Sequence, residues 1–144
     1  MSRIWAIMQA GGGFVIRHCA EHPAQAGHAD ECVDAAVYEL PREPDAAFGE
    51  TVDPAGGALI FVWSEAAPRI TAAIKTEAEA RILAVAPLWR QINDGHEPDT
   101  PGAAERRRAI RAIRDWSNQI EAEAMQVGSA VALRALLNTH QIAG

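Results

Sequence analysis

The stretch "IRAIRDWSNQIEAEA" at 110–124 decides how the C-terminal half folds. Ile110, Ile113, Ser117, Ile120 and Ala124 follow one another at steps of 3, 4, 3 and 4 residues. This is the spacing of one side of an α-helix that packs against another helix. The pattern predicts a helix over about 101–126. Its seam is covered either by a second helix of the same chain or by a partner protein.

The segment before it supplies a candidate for that second helix. Residues 68–94 are rich in helix formers, and Pro87 should kink the helix or begin a new turn after Ala86. The segment "DGHEPDTPG" at 94–102 is the break, with Asp99 or Thr100 as a cap and Pro101 at the first helical position. A short third helix is predicted over 129–140. The apolar positions of the first helix are Ile74, Ala78, Ile82, Val85, Trp89 and Ile92.

The N-terminal half has the patterns of β-strands. Residues 3–8 and 14–19 flank a "GGG" turn and predict a β-hairpin, and 20–31 read as a loop. Residues 32–40 fit a strand or a short helix. The segment "VDPAGGALIFVW" predicts a second hairpin with a well-buried strand at 58–63. We therefore expect an α+β fold: a small antiparallel β region at 1–67, then a helical hairpin with a short third helix at 68–144.

Composition limits the partners of the chain. Its 144 residues carry a net charge of −6, and the arginines at 106–108, 111 and 114 are followed by acids, as on a solvated helix face. We expect neither nucleic acid nor membrane as a partner, and little effect from Arg107→Ala. The N-terminus is too short and β-like for a secretory signal, which favours the cytoplasm as the place of synthesis. A β region of about 65 residues is marginal alone and favours oligomerisation or a multi-copy assembly.

A cluster of metal-ligand residue types lies in "HCAEHPAQAGHADEC" at 18–32. Cys19, His22, His28 and Cys32 could surround a tetrahedral zinc ion, although the spacer between the two pairs is shorter than in zinc fingers. The alternatives are a polar loop with two free thiols, or one disulfide that closes a small ring. No other cofactor is indicated.

Catalytic patterns are missing from the sequence. Ser64 and Ser129 stand outside any G-x-S-x-G elbow, and the glycines at 11–13 lack the lysine of a phosphate loop. Cys19 has histidines nearby at 18, 22 and 28, which alone do not define a nucleophile and its base. We predict that the protein is not an enzyme.

Two tryptophans are the candidate anchors for a partner. Trp89 belongs to the first helix, and Trp116 lies just beside the seam of the second. They either close one hairpin core, or one of them is exposed to a partner, as aromatic residues often are at interfaces. The predicted partner-binding residues are Trp89, Ile110, Ile113, Trp116 and Ile120.

Two motifs carry a resemblance to a known group of proteins. "APLWRQIND" at 86–94 and "AIRAIRDWSNQIEAEA" at 109–124 resemble the C-terminal helical region of small proteins encoded beside tail-fibre genes in tailed bacteriophages and prophages. The segment "VYELPREPD…VDPAGGALI" resembles the short β segments before such helices. The matching positions are Leu88, Trp89, Arg90, Gln91, Asn93, Ile110, Ile113, Arg114, Ser117, Asn118, Ile120 and Glu121.

The resemblance implies a role in the phage tail. It predicts a structural component of the tail tip, the baseplate or the tail-fibre attachment site, present in the virion and in the host cytoplasm during assembly. Its partners would be other tail proteins, such as the tail fibre and the baseplate hub. The alternative is a tail-fibre assembly chaperone that is not retained in the virion. A zinc-stabilised binding module is the third possibility.

Overall fold

The computed structural model describes residues 1–144, which divide into two compact units, residues 1–65 and 66–144. The predicted division lay two residues later, between 67 and 68. Unit 1 carries five strands in two antiparallel sheets, and the chain continues into four α-helices. The predicted α+β class is confirmed.

A three-stranded antiparallel sheet forms the first part of unit 1. Strands β1 (Arg3–Met8) and β2 (Phe14–Cys19) form the predicted hairpin with the predicted bounds. β3 (Val37–Leu40) pairs with the other edge of β1, so the second half of the ambiguous segment 32–40 is a strand. The loop before β3 contains one short 3-10 turn, Asp30–Cys32.

The second predicted hairpin is present but shorter than expected. Strands β4 (Glu50–Val52) and β5 (Leu59–Phe61) pair across a turn in which the Asp53 carboxylate accepts the Ala55 N–H at 2.9 Å. The prediction of a well-buried strand over 58–63 was wrong, because β5 is only partly buried and Trp63 already starts a helix.

The small core of unit 1 joins its two sheets. Ala6 and Leu40 from the first sheet pack with Val52 from the second. The Tyr38 hydroxyl donates to the Pro54 carbonyl at 2.7 Å, and a Cβ at Gly57 would lie 2.3 Å from the Tyr38 ring. Gly57 is therefore required twice: its φ of +75° favours glycine, and the tyrosine ring occupies the space of a side chain. Partly buried residues around this core are Ile4, Met8, Phe14, Ile16, Tyr38 and Leu59.

The helical part has one more helix than predicted, because the chain begins a separate helix after Pro87 and does not continue as one kinked helix. Of the two outcomes predicted for this proline, the structure has the new turn. The helix α1 also begins five residues before the expected start and contains Pro68 as its sixth residue, where proline has no N–H to donate to the Ser64 carbonyl. No helix combines the length and the apolar composition that a membrane-spanning segment needs. The helices are α1 (Trp63–Val85), α2 (Leu88–His96), α3 (Ala103–Ala124) and α4 (Ala130–Thr139).

The ends of α3 and α4 show two kinds of helix start. α3 begins after Gly102, whose φ is +83°, with no side-chain cap, so the predicted capping by Asp99 or Thr100 was wrong. α4 begins after Ser129, whose Oγ accepts the Ala132 N–H at 3.1 Å. The buried apolar residues of unit 2 are Ala66, Ile70, Ile74, Ala78, Ala86, Ala103, Ile110, Ile120, Ala124, Ala130, Leu133, Leu137 and Ile142.

Candidate protein-binding surface

The seam of α3 is turned into the core of unit 2. Ile110, Ser117, Ile120 and Ala124 are buried, and Ile113 is half-buried. Two of the predicted partner-binding residues, Ile110 and Ile120, are thus used inside the unit. The seam of α3 is therefore covered by the same chain, and not by a partner protein.

Trp116 is also held from within unit 2. The Arg81 guanidinium lies 4.0 Å from the centroid of its half-buried ring. The indole N–H faces His140 Nδ1 at 3.4 Å, and Arg81 Nη2 donates to the His140 carbonyl at 2.8 Å. A second Arg81 nitrogen donates to Glu77 at 2.9 Å. These contacts tie α1, α3 and the end of α4 together, so Trp116 closes the helical core.

Helix α2 presents its apolar side to solvent. Leu88, Trp89 and Ile92 are 64%, 57% and 51% exposed. Asp94 is the buried residue of this helix, at 2% exposure. At about 100° per residue, the three apolar side chains fall within one sector of roughly 100° on the side away from Asp94. The predicted anchor Trp89 therefore lies on an exposed surface, which we call the α2 apolar face and define as Leu88, Trp89 and Ile92.

The orientation of α2 is fixed by polar contacts from the first turns of α3. Arg106 donates two hydrogen bonds to the Asp94 carboxylate at 2.6 and 2.7 Å. Arg107 donates to the Asp94 carbonyl at 2.9 Å. The hydrogen bonds from Arg106 hold the pKa of Asp94 below its ordinary value, against the opposing effect of burial. A buried carboxylate needs such a partner, so the pair turns the polar side of α2 inward.

A groove runs beside the α2 apolar face. It consists of two cavities of 260 and 300 Å³ that share Gln91 and Arg114, and we call it the α2–α3 groove. Leu88 lines the larger cavity, so the apolar face borders the groove directly. The remaining lining residues are Lys75, Ala78, Glu79, Ile82, Leu83, Asp94, Arg107, Ile110, Arg111 and Ser117.

Cations dominate the groove. Arg111 and Arg114 line it, are exposed and make no ion pair. The carboxylate of Asp94 is already bound by Arg106, which leaves Glu79 as the lining carboxylate without a hydrogen-bonded arginine. The groove thus offers two unpaired guanidinium groups next to exposed aliphatic and aromatic side chains.

The four predicted zinc ligands are not brought together as one ligand set. No group of three or more His, Cys, Asp or Glu side chains is arranged to hold a metal ion. Instead, the His22 ring packs edge-on against Trp5, with centroids 5.3 Å apart. His28 Nδ1 lies 2.9 Å from Glu31, which also accepts two hydrogen bonds from Arg17 at 2.8 and 3.1 Å. Both histidines therefore hold the 18–32 loop in place.

Of the alternatives for this loop, the structure has two free thiols, Cys19 and Cys32, both partly buried. Burial raises the pKa of the Cys32 thiol, with smaller contributions from Glu31 and Cys19. The hydrogen bonds from Arg17 and His28 lower the pKa of Glu31. Burial of Cys32 thus favours the protonated form of its thiol.

The sequence carried a signal for the α2 apolar face that the seam of α3 obscured. Leu88 and Ile92 are four residues apart, and Trp89 is adjacent, directly after the helix break at Pro87. The inward side had no such local signal, because Asp94 meets Arg106 across the loop between two helices. Comparison of the chain with protein-family models, with curated proteins and with solved structures found no significant match.

Proposed function

We propose that this protein works by binding another protein through the α2 apolar face, as a structural component of a phage tail tip, baseplate or tail-fibre attachment site. The observation that carries the binding role is the outward orientation of Leu88, Trp89 and Ile92 on one short helix. The phage context comes from the resemblance of residues 86–94 and 109–124 to proteins encoded beside tail-fibre genes.

The physical argument is the cost of leaving this face in water. Burial of one large aliphatic side chain stabilises by about 1.5–3 kcal/mol, and an aromatic ring buries more area still. Three such side chains on neighbouring positions form a patch, whereas a single exposed leucine would need no explanation. Tryptophan is one of the residue types most enriched at the energetic centres of interfaces. The guanidinium carbon of Arg90 lies 4.5 Å from the centroid of the Trp89 ring.

The test uses tails purified from the phage or prophage that encodes the protein. We expect the chain to be detected in the particle by mass spectrometry and to cross-link to a neighbouring tail protein. Ile92→Glu places a charge in the apolar face and should remove the chain from the tails. Val131→Glu is the matched control, because Val131 is also an exposed aliphatic residue on a helix of unit 2.

Each alternative outcome assigns a different role. Binding to the fibre protein in the lysate, together with absence from finished particles, would identify an assembly chaperone. Normal incorporation of the Ile92→Glu protein would show that the α2 apolar face is not the binding surface. Absence from both the lysate complexes and the particles would overturn the tail role.

A further inference from the structure

We propose that the α2–α3 groove, together with the α2 apolar face, binds an amphipathic helix of the partner whose flanks carry carboxylates. This inference rests on the proposed function, because it specifies what the partner presents to the same surface. Its three supports are the shape of the surface, the position of its apolar residues and its uncompensated positive charge.

The apolar residues set the pattern that the partner must match. Leu88 and Ile92 are separated by one helical turn, and Trp89 extends the face around the helix. The nine residues of α2 measure about 13 Å, which corresponds to two to three turns of an opposing helix. A partner helix with apolar residues at i, i+3 or i+4, and i+7 covers such a face.

The walls of the groove favour a helix over an added strand. Its lining residues come from α1, α2 and α3, and unit 2 contains no strand whose edge could pair with an extended peptide. Helix surfaces accept the ridges of another helix in the grooves between their own side chains. A helical occupant can therefore bury its apolar side while its backbone groups remain satisfied within the helix.

The charges identify the flanks of that helix. Arg111 and Arg114 are three residues apart on one side of α3 and have no carboxylate partner. Lys75 of α1 adds a third lining cation without an ion pair, and Glu79 is the lining carboxylate to which no arginine is hydrogen-bonded. Carboxylates on the partner would pair with these arginines, while lysines at the same positions would be repelled. The groove would thus distinguish acidic from basic partner helices, which a purely apolar surface cannot do.

The experiment uses the full chain and two designed helical peptides of about 18 residues. Both peptides carry the same leucine stripe, and they differ only in having glutamates or lysines beside it. Binding is followed by fluorescence anisotropy at low and high salt. We expect the glutamate peptide to bind at least about tenfold tighter than the lysine peptide at low salt, and the difference to shrink as salt rises.

Charge reversal tests the assignment to the groove. The double variant Arg111→Glu/Arg114→Glu should lose the preference for the glutamate peptide and gain one for the lysine peptide. Arg108→Glu is the matched control on the same helix, since Arg108 is exposed and does not line the groove. Circular dichroism verifies that both proteins keep their helices, and the gain of lysine-peptide binding cannot come from misfolding.

Three binding results would overturn the inference. They are failure of the glutamate peptide to bind, equal binding of both peptides, and equally tight binding of a single-stranded oligonucleotide. Self-association of the free chain that the double variant abolishes would also overturn it, because the occupant would then be a second copy. If any of these occurs while Ile92→Glu still removes the chain from tails, the inference fails and the proposed function stands.

Discussion

Helices α2 and α3 are both amphipathic, yet they direct their apolar sides in opposite ways. α3 buries Ile110 and Ile120, whereas α2 exposes Leu88 and Ile92 and buries the carboxylate of Asp94. Periodicity alone reveals that a helix has two sides. Which side faces the core depends on the partners that the rest of the fold supplies, here two successive arginines at the start of α3.

The lengths of the two helices explain why one ion pair can make this difference. α3 has 22 residues, so its apolar stripe makes many contacts that together outweigh any single polar interaction. α2 has nine residues and is short enough to be oriented by the hydrogen bonds of one buried carboxylate. Pro87 separates α2 from α1, so its rotation is not dictated by the helix before it.

The largest expected effect on stability comes from truncating a buried isoleucine of α3. Ile120→Ala should lower the free energy of unfolding by about 2–5 kcal/mol, because Ile120 is 1% exposed and its loss leaves a cavity. Ile92→Ala should change it by no more than about 0.5 kcal/mol. Denaturant unfolding of the full chain, followed by far-ultraviolet circular dichroism, measures both. A cost for Ile92→Ala that equals the cost for Ile120→Ala would mean that α2 is not turned outward.

The contrast between α2 and α3 also explains which features could be predicted from the sequence. The β-hairpin at 3–19, the break at Pro87 and the seam of α3 were predictable because each depends on local turn chemistry or on a long periodic stripe. The orientation of α2 was not, because it depends on Asp94 meeting Arg106 across a loop. The ligand-like histidines at 22 and 28 were misleading, since their contacts with Trp5 and Glu31 arise only in the folded unit.

The second prediction concerns a substitution that breaks the ion pair orienting α2. A pKa that is depressed in the folded state means that Asp94 stabilises the fold above its ordinary pKa, and that this stabilisation is lost as pH falls through the lowered folded pKa. Asp94→Asn should therefore be clearly less stable than the wild type at neutral pH. The difference should shrink in acid, where the wild-type carboxylate is protonated as well.

Urea unfolding at several pH values measures this effect, with Asp99→Asn as the control. Asp99 is exposed in the loop that leads to α3, so its replacement should leave the pH dependence of stability unchanged. An Asp94→Asn stability curve parallel to the wild-type curve at all pH values would contradict the role of the ion pair.

The third prediction compares neighbouring arginines of α3. Arg107 and Arg108 are both exposed, but Arg107 donates to the Asp94 carbonyl in the last turn of α2, whereas Arg108 makes no hydrogen bond to α2. Arg107→Ala should lower the free energy of unfolding by about 1 kcal/mol, the usual value for one hydrogen bond, and Arg108→Ala by less than about 0.5 kcal/mol. This revises the expectation that Arg107→Ala has little effect. If Arg107→Ala and Arg108→Ala had equal costs in the same unfolding experiment, the original expectation for Arg107 would stand.

The smallest effect on stability is expected at Trp89, and this makes it the sharpest test of the comparison. Trp89→Ala should change the free energy of unfolding by no more than about 0.5 kcal/mol, because the ring is more than half exposed. Trp116→Ala should cost clearly more, since Arg81 and His140 enclose that ring. Trp89→Ala should also remove the tryptophan fluorescence that acrylamide quenches most readily. If its removal left the quenching unchanged, the ring would be covered, and the α2 apolar face would already be in use within the chain.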